Sequence, residues 1–217
     1  MIAASVSDLD QDFPVLVLAA GASTRFGSPK ALLTVSHQGG ERRSLLDCAI
    51  GQARLLGRDV RVVCGAWYPL VRFRCRAQPC RWVHIADWQM GMAASLAAGI
   101  RSLGPRAKGV FVLLADQPLL DRQALEAFAE RARRFPGEAV AADYGRRPGV
   151  PAYLPRKLWP GVLSLHGDCG AAGVLAEANA IRLHIPGVHD DVDTPEDWRR
   201  IRNEIIRTSP RTRQLQD

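Results

Sequence analysis

The apolar run Val15-Leu16-Val17-Leu18-Ala19 leads without a break into small residues, 20–24, then Arg25, Gly27 and Lys30. Five consecutive apolar positions with β-branched content, ended by alanine and glycine, describe a strand buried on both faces rather than a half-exposed strand that would alternate. Such a strand needs helices above and below it. Similar runs recur at 60–64, 109–114 and 139–142, and helix-period patterns fill 44–56, 93–103, 121–133 and 194–206. Strands alternating with helices predict one three-layer α/β/α sandwich with a mostly parallel sheet.

Local chemistry supports these boundaries. Asp121 precedes an apolar-periodic stretch as a cap would, and Thr194-Pro195-Glu196 places a cap residue before a proline in the first turn. The proline- and glycine-dense stretch 145–170 reads as a loop-rich insertion over the functional edge of the sheet. The expected organisation is an N-terminal extension over 1–13, a single domain over 14–206 and a basic polar tail over 207–217. With 217 residues and 47% hydrophobic content, a domain of this size buries roughly 70% of the surface its unfolded chain exposes and needs no staples.

Lys and Arg outnumber Asp and Glu by 29 to 22, a net charge of +7 that suits a polyanionic ligand. Six arginines lie between 199 and 213, but no aromatic follows Trp198 to interleave with them, which argues against nucleic acid. The five cysteines (48, 64, 75, 80 and 169) lack paired ligand spacing and read as reduced thiols of a cytoplasmic protein. No stretch of about 18 apolar residues predicts a membrane span. Cys169 reads as a small filler, and His84, His166, His184 and His189 as structural or exposed.

Two motifs carry chemistry. In LAAGASTRFGSPK, 18–30, small side chains let backbone amides approach an anion, while Arg25 and Lys30 add positive charge where a triphosphate would lie. The spacing matches neither a P-loop nor a G-x-G-x-x-G fingerprint. In VFVLLADQPLL the strand ends at Asp116, and in an open α/β sheet ligands sit beyond the carboxyl ends of the strands. A carboxylate there suits Mg²⁺, which takes one or two protein carboxylates together with phosphates and water. Asp193, in HDDVDTPEDW, is the second candidate; Asp190 and Asp191 read as solvated surface acids, one of which could share the metal.

LAAGASTRFGSPK, GMAASLAAGI, LLADQP, HGDCGAA and DVDTPEDW, in that order, resemble the molybdenum cofactor cytidylyltransferase family over about residues 14–206. The resemblance implies a Rossmann-like fold of the nucleotide-diphospho-sugar transferase type and Mg²⁺-dependent transfer of CMP from CTP to molybdenum-molybdopterin. It implies nucleotide contacts from Leu18, Ala19, Ala20, Gly21, Ser23, Arg25, Lys30, Gly91, Ser95 and Asp116, with Arg25, Lys30 and Asp116 catalytic. Asp116 and Asp193 would hold the metal, and Gly149, Pro151, Gly167, Asp168 and Gly170 would meet the acceptor. Guanylyl-transferring relatives usually have Gly-Gly where this chain has Ala20-Gly21, which favours cytidine. The family's usual G-H-P is Gly149-Val150-Pro151 here, its G-D-x-G-A-R ends in Ala172, and Ile85 stands where an Asn is common. These departures fall on the acceptor side. They leave two alternatives: transfer to another phosphorylated acceptor such as a sugar or polyol phosphate, or a silent nucleotide-binding accessory protein that serves a molybdoenzyme.

Overall fold

In the computed structural model, which describes residues 13–36, 42–79 and 81–208, strand β1 (Val15–Ala19) is an interior strand, third of seven, in the main sheet. Its side chains alternate between two cores. Val15 and Val17 join the cluster on one face, and Leu16 and Leu18 join the cluster on the other. This two-sided burial is why the run reads as uninterrupted apolar sequence.

The remaining elements follow in chain order. The hairpin β2 (Thr34–Ser36) and β3 (Arg42–Ser44) precedes α1 (Leu45–Leu56), β4 (Val60–Cys64), α2 (Leu70–Arg74), β5 (Arg81–His84), α3 (Met92–Arg101) and β6 (Gly109–Leu114). Then come α4 (Arg122–Arg134), β7 (Val140–Asp143), β8 (Pro148–Pro155), α5 (Trp159–Leu163), α6 (Ala172–Glu177), β9 (Ile181–Leu183) and α7 (Pro195–Thr208). The sheet order is β5-β4-β1-β6-β8-β7-β9, and all its strands run one way except β8. From β1 the chain winds outward through β4 to β5, then returns across β1 to β6. This reversal opens a crevice at the carboxyl ends of β1 and β6. Helices α1 and α4 cover one face, whereas α3, α5 and α6 cover the other.

The predicted strands and helices are present with shifts of one or two residues at some ends, as expected of frayed boundaries. Asp121 caps α4 by accepting the Ala124 amide (2.8 Å). The last helix extends to Thr208, two residues beyond the predicted domain end, and residues 1–12 and 209–217 of the predicted extension and tail lie outside the described residues. Cys80 does too. Among the described residues no helix is long and apolar enough to cross a membrane.

The expectation for 145–170 is overturned. The stretch contributes β8, buried between β6 and β7, and α5 on the face opposite α1, so it is part of the core and not a loop-rich insertion. The prolines of β8 misled because each sits where strand geometry tolerates one, and Pro160 sits in the first turn of α5. Pro148 and Pro155 are the terminal residues of β8, and Val150-Pro151 fall where the register with β7 shifts between Ala141 and Ala142. The ladder proper is carried by Ala152, Tyr153 and Leu154, all fully buried.

Asp47 is a buried polar node that ties the first helix to the segment after α2. It completes a capping box with Ser44, accepting that residue's amide (2.9 Å) and hydroxyl (2.7 Å), and its other oxygen accepts the amides of Arg76 and Ala77 (2.8 Å each). Burial opposes its ionisation, but these donors win and hold its carboxyl below the usual carboxylate range. The stabilisation is therefore complete above the unfolded value of about 3.9 and is lost as pH falls through the lower folded value. Asp47→Asn is expected to cost at least about 2 kcal/mol at pH 7. Urea titrations should show the gap to wild type closing only below about pH 4, and a gap that narrows instead between pH 8 and 6 would contradict this account.

Candidate nucleotide and metal site

At the end of β1 the chain makes a tight loop that closes on itself. Ser23, in the left-handed region (φ 54°), accepts the amides of Phe26 (2.9 Å) and Gly27 (3.1 Å) with its carbonyl, and its hydroxyl accepts the Lys30 amide (3.2 Å). Trp67 braces the loop by donating its indole N–H to the Ala22 carbonyl (2.7 Å). Among the described residues the amides of Gly21, Ala22 and Ser23 donate to no protein acceptor. Successive free amides beside a fixed cation form an anion cradle.

Lys30 enters the crevice and meets two carboxylates. Its Nζ donates to Asp116 Oδ2 (2.6 Å) and to Asp193 Oδ1 (2.9 Å). Burial works against the ammonium charge, but the two aspartates outweigh it and hold Lys30 above the ordinary lysine value. Asp116 lies two residues beyond β6. Asp193 stands just before α7, where Thr194 and Asp197 cap the helix reciprocally, Thr194 Oγ1 accepting the Asp197 amide (3.2 Å) and Asp197 Oδ2 accepting the Thr194 amide (2.8 Å). With the cap made by its neighbours, the Asp193 carboxylate is left to face Lys30.

A cavity of about 430 Å³ opens beside this centre, lined by 18–23, Lys30, Gln89, Gly91, Met92, Ser95, Asp116, Asp168 and Asp193, with Trp67, Val71 and Trp88 forming its apolar wall. Ser95 is a buried residue of the first turns of α3. Gly91 precedes that helix with φ 93°, and a Cβ there would run into the backbone of Gly167 and the Asp168 carboxylate. That close approach brings the 167–170 loop against the helix, where the Ala93 amide also donates to the Gly167 carbonyl (3.1 Å).

The sequence-predicted residues thus divide into groups. Leu18, Ala19, Ala20, Gly21, Ser23, Lys30, Gly91, Ser95, Asp116 and Asp193 share one cavity. Arg25 is exposed on the turn that Ser23 begins and is not part of the lining. The acceptor set is split: Asp168 reaches the cavity, whereas Gly149 and Pro151 belong to β8 and do not. Ile85 is buried among apolar neighbours of the core beneath α3.

Several features escaped the sequence. Asp191 is half-buried and not a solvated surface acid; burial first, then Asp116 and Asp193, push its carboxyl up to about 6 against the pull of Gln117 and Lys30. Asp190, by contrast, pairs with Arg200 (2.5 Å). Cys169 is exposed and fills no interior space, whereas burial pushes the thiols of Cys48 up to about 11 and of Cys64 and Cys75 up to about 12, which leaves them protonated and unreactive. The walls from Trp67, Val71 and Trp88 carried no motif, although two tryptophans near a phosphate loop were a usable signal.

The carboxylates fit a hard divalent cation. Asp116 Oδ1 is buried with no protein partner among the described residues, a costly arrangement unless a cation or water satisfies it. No cluster of three or more His, Cys, Asp or Glu side chains forms a cage among the described residues.

The chain is similar to several known proteins. Purine catabolism protein PucB of Bacillus subtilis (strain 168) is 32% identical over 132 residues, 56% of this chain and 62% of PucB, so the match spans less than two thirds of that relative. Rv0371c of Mycobacterium tuberculosis H37Rv is 28% identical with a TM-score of 0.75, covering 88% of this chain and 97% of that one. The same protein in complex with manganese is 26% identical with a TM-score of 0.71, covering 88% and 98%. Residues 15–182 match the MobA-like NTP transferase domain. Sequence, sheet order and the site at the ends of β1 and β6 point the same way: the chain belongs to the MobA-like NTP transferase domain family.

Proposed function

We propose that this protein is a Mg²⁺-dependent nucleotidyltransferase that transfers CMP from CTP to molybdenum-molybdopterin and releases pyrophosphate. The observation that carries the reading is Lys30 between Asp116 and Asp193, set directly beside the free amides of 21–23. The cradle and Lys30 bind the phosphates, Arg25 reaches them from the exposed turn, and Ser95 with the backbone of 19–21 meets the ribose and base. Asp116 and Asp193 are the residues that would hold the cation; when bound, it supplies Lewis-acid charge to the phosphoryl oxygens.

The reaction is an in-line displacement. An acceptor phosphate oxygen forms a bond to the α-phosphorus as the bond from that phosphorus to the bridging oxygen of pyrophosphate breaks. The acceptor is already anionic, so no protein nucleophile is required. The chain's own part is to hold both substrates and to offset charge that develops on the leaving group through Lys30 and the loop amides. The preference for CTP and for a molybdopterin acceptor rests on the family resemblance and on Ala20.

The test is pyrophosphate release from each of the four NTPs with Mg²⁺, with and without molybdenum-loaded molybdopterin. Release that requires both CTP and this acceptor is the expected result. Release with GTP alone among the NTPs would reassign the base, and release with a sugar phosphate in its place would reassign the acceptor. Binding of CTP without turnover on any acceptor would favour an accessory role.

A further inference from the structure

Gln117 follows Asp116 and is 1% exposed. A buried amide is costly unless its polar atoms are used, and here Nε2 is used while Oε1 has no partner among the described residues. Its Nε2 donates to the Tyr144 hydroxyl (2.8 Å) and to the Val188 carbonyl (3.0 Å). The Tyr144 hydroxyl in turn donates to the Val150 carbonyl (2.7 Å), and its ring stands edge-on to His189 with centroids 5.1 Å apart. A Cβ on Gly149 would collide with that ring, so the irregular start of β8 is shaped around Tyr144. The substitution of Val150 for the family's usual histidine leaves this link intact, because the link uses the backbone carbonyl.

Three parts of the chain meet at Gln117: the turn after β6, the β7–β8 hairpin, and the segment 186–193 that ends at Asp193. That segment is stitched to the turn at both ends, by the Asp121 amide on the Pro186 carbonyl and the Val192 amide on the Asp116 carbonyl (3.0 Å each). The Gln117 bond to Val188 falls between these two stitches. On the opposite side, Gln52 of α1 donates to the carbonyls of Gln117 and Pro118 (3.2 Å each).

We infer that Gln117 and Tyr144 are positioning residues for the acidic centre, fixing where Asp116 stands relative to Asp193 and so the geometry offered to a divalent cation. The inference rests on the metal role proposed for those two carboxylates. A ligand pair is effective only when held within about 0.5 Å of its working geometry, and outer partners of this kind typically change metal affinity by about tenfold to a hundredfold. Neither residue touches substrate in this account; each acts through the backbone that carries an aspartate.

The experiment is a Mn²⁺ titration of the full chain by calorimetry, without nucleotide or acceptor, for wild type, Gln117→Met and Tyr144→Phe. Near-UV circular dichroism and thermal midpoints are recorded in parallel. Gln117→Met keeps length and burial but removes both donors, and Tyr144→Phe keeps the ring. The expected result is a Kd for Mn²⁺ raised about tenfold or more in Gln117→Met, with a smaller rise in Tyr144→Phe. A lowered midpoint with unchanged Mn²⁺ affinity would make the pair purely structural and overturn the inference. If Gln117→Met does not fold, Tyr144→Phe decides in the same way. Wild type that binds no Mn²⁺ would bring down the proposed metal centre together with this inference, whereas binding that is equal in all three proteins brings down the inference alone.

Discussion

Asp116→Asn is expected to lower kcat/KM for nucleotidyl transfer by about a hundredfold or more while the fold persists. The substitution is isosteric and keeps an oxygen that can accept from Lys30, so packing around the end of β6 is preserved. What disappears is the charge. The buried Oδ1 that lacks a protein partner is the oxygen best placed for a cation, and a neutral amide there is a far weaker ligand. Stability should move little, because the lost attraction to Lys30 is offset by relief of repulsion from Asp191 and Asp193. Steady-state pyrophosphate release at saturating Mg²⁺, together with a melting curve, separates the two quantities. Activity within threefold of wild type would remove Asp116 from the chemistry.

Phe111→Ala is expected to destabilise the protein by about 3–5 kcal/mol. Phe111 is fully buried in the third position of β6, and its ring meets those of Phe13 (6.3 Å), Phe128 (5.7 Å) and Tyr153 (5.1 Å), all tilted. It thereby joins the start of the chain, α4 and β8 in one aromatic cluster. Truncation removes that apolar surface and leaves a cavity between rigid rings, which relax poorly. A loss of this size is a large part of the roughly 5–15 kcal/mol that holds a domain together. Urea denaturation should show a lower midpoint at nearly constant slope. Ile206→Ala, at a half-exposed position of α7, should stay within about 0.5 kcal/mol. A cost below about 1 kcal/mol for Phe111→Ala would mean that the cluster closes over the gap.

Much of this architecture was legible before any coordinates. β1, β4 and β6 announced themselves because each is covered on both faces, and Asp121 and Thr194 marked helix starts because a cap needs a short acceptor side chain at that place. Asp116 was legible because a carboxylate at the carboxyl end of a buried strand has few structural explanations, Lys30 because a cation closes a loop of small residues, and Asp193 only as the second acid that a metal beside Asp116 would want. β8 was not, since prolines at its ends and at its register shift look like breaks when the partner strands are unknown. β5 was missed as well: its Arg81-Trp82-Val83-His84 is an edge strand without a strong pattern. Gln117 lay inside a recognised motif, but nothing in a linear chain says that its amide reaches Tyr144 and Val188. Asp191 differs from Asp190 only in which way the backbone turns.

The Lys30 to Asp193 contact spans 163 positions of the chain. Lys30 arises in the first strand–loop unit and Asp193 just before α7, so during synthesis the acidic centre stays unfinished until residue 193 has been made and released. An emerging chain could cradle a phosphate with its first loop well before it could grip a cation. Once closed, the centre works as a clasp between the two termini of the fold, and any ligand that tightens it should slow the release of α7 more than the release of the helices lying between. Hydrogen exchange along α7, followed with and without Mn²⁺ and nucleotide, would make that clasp visible.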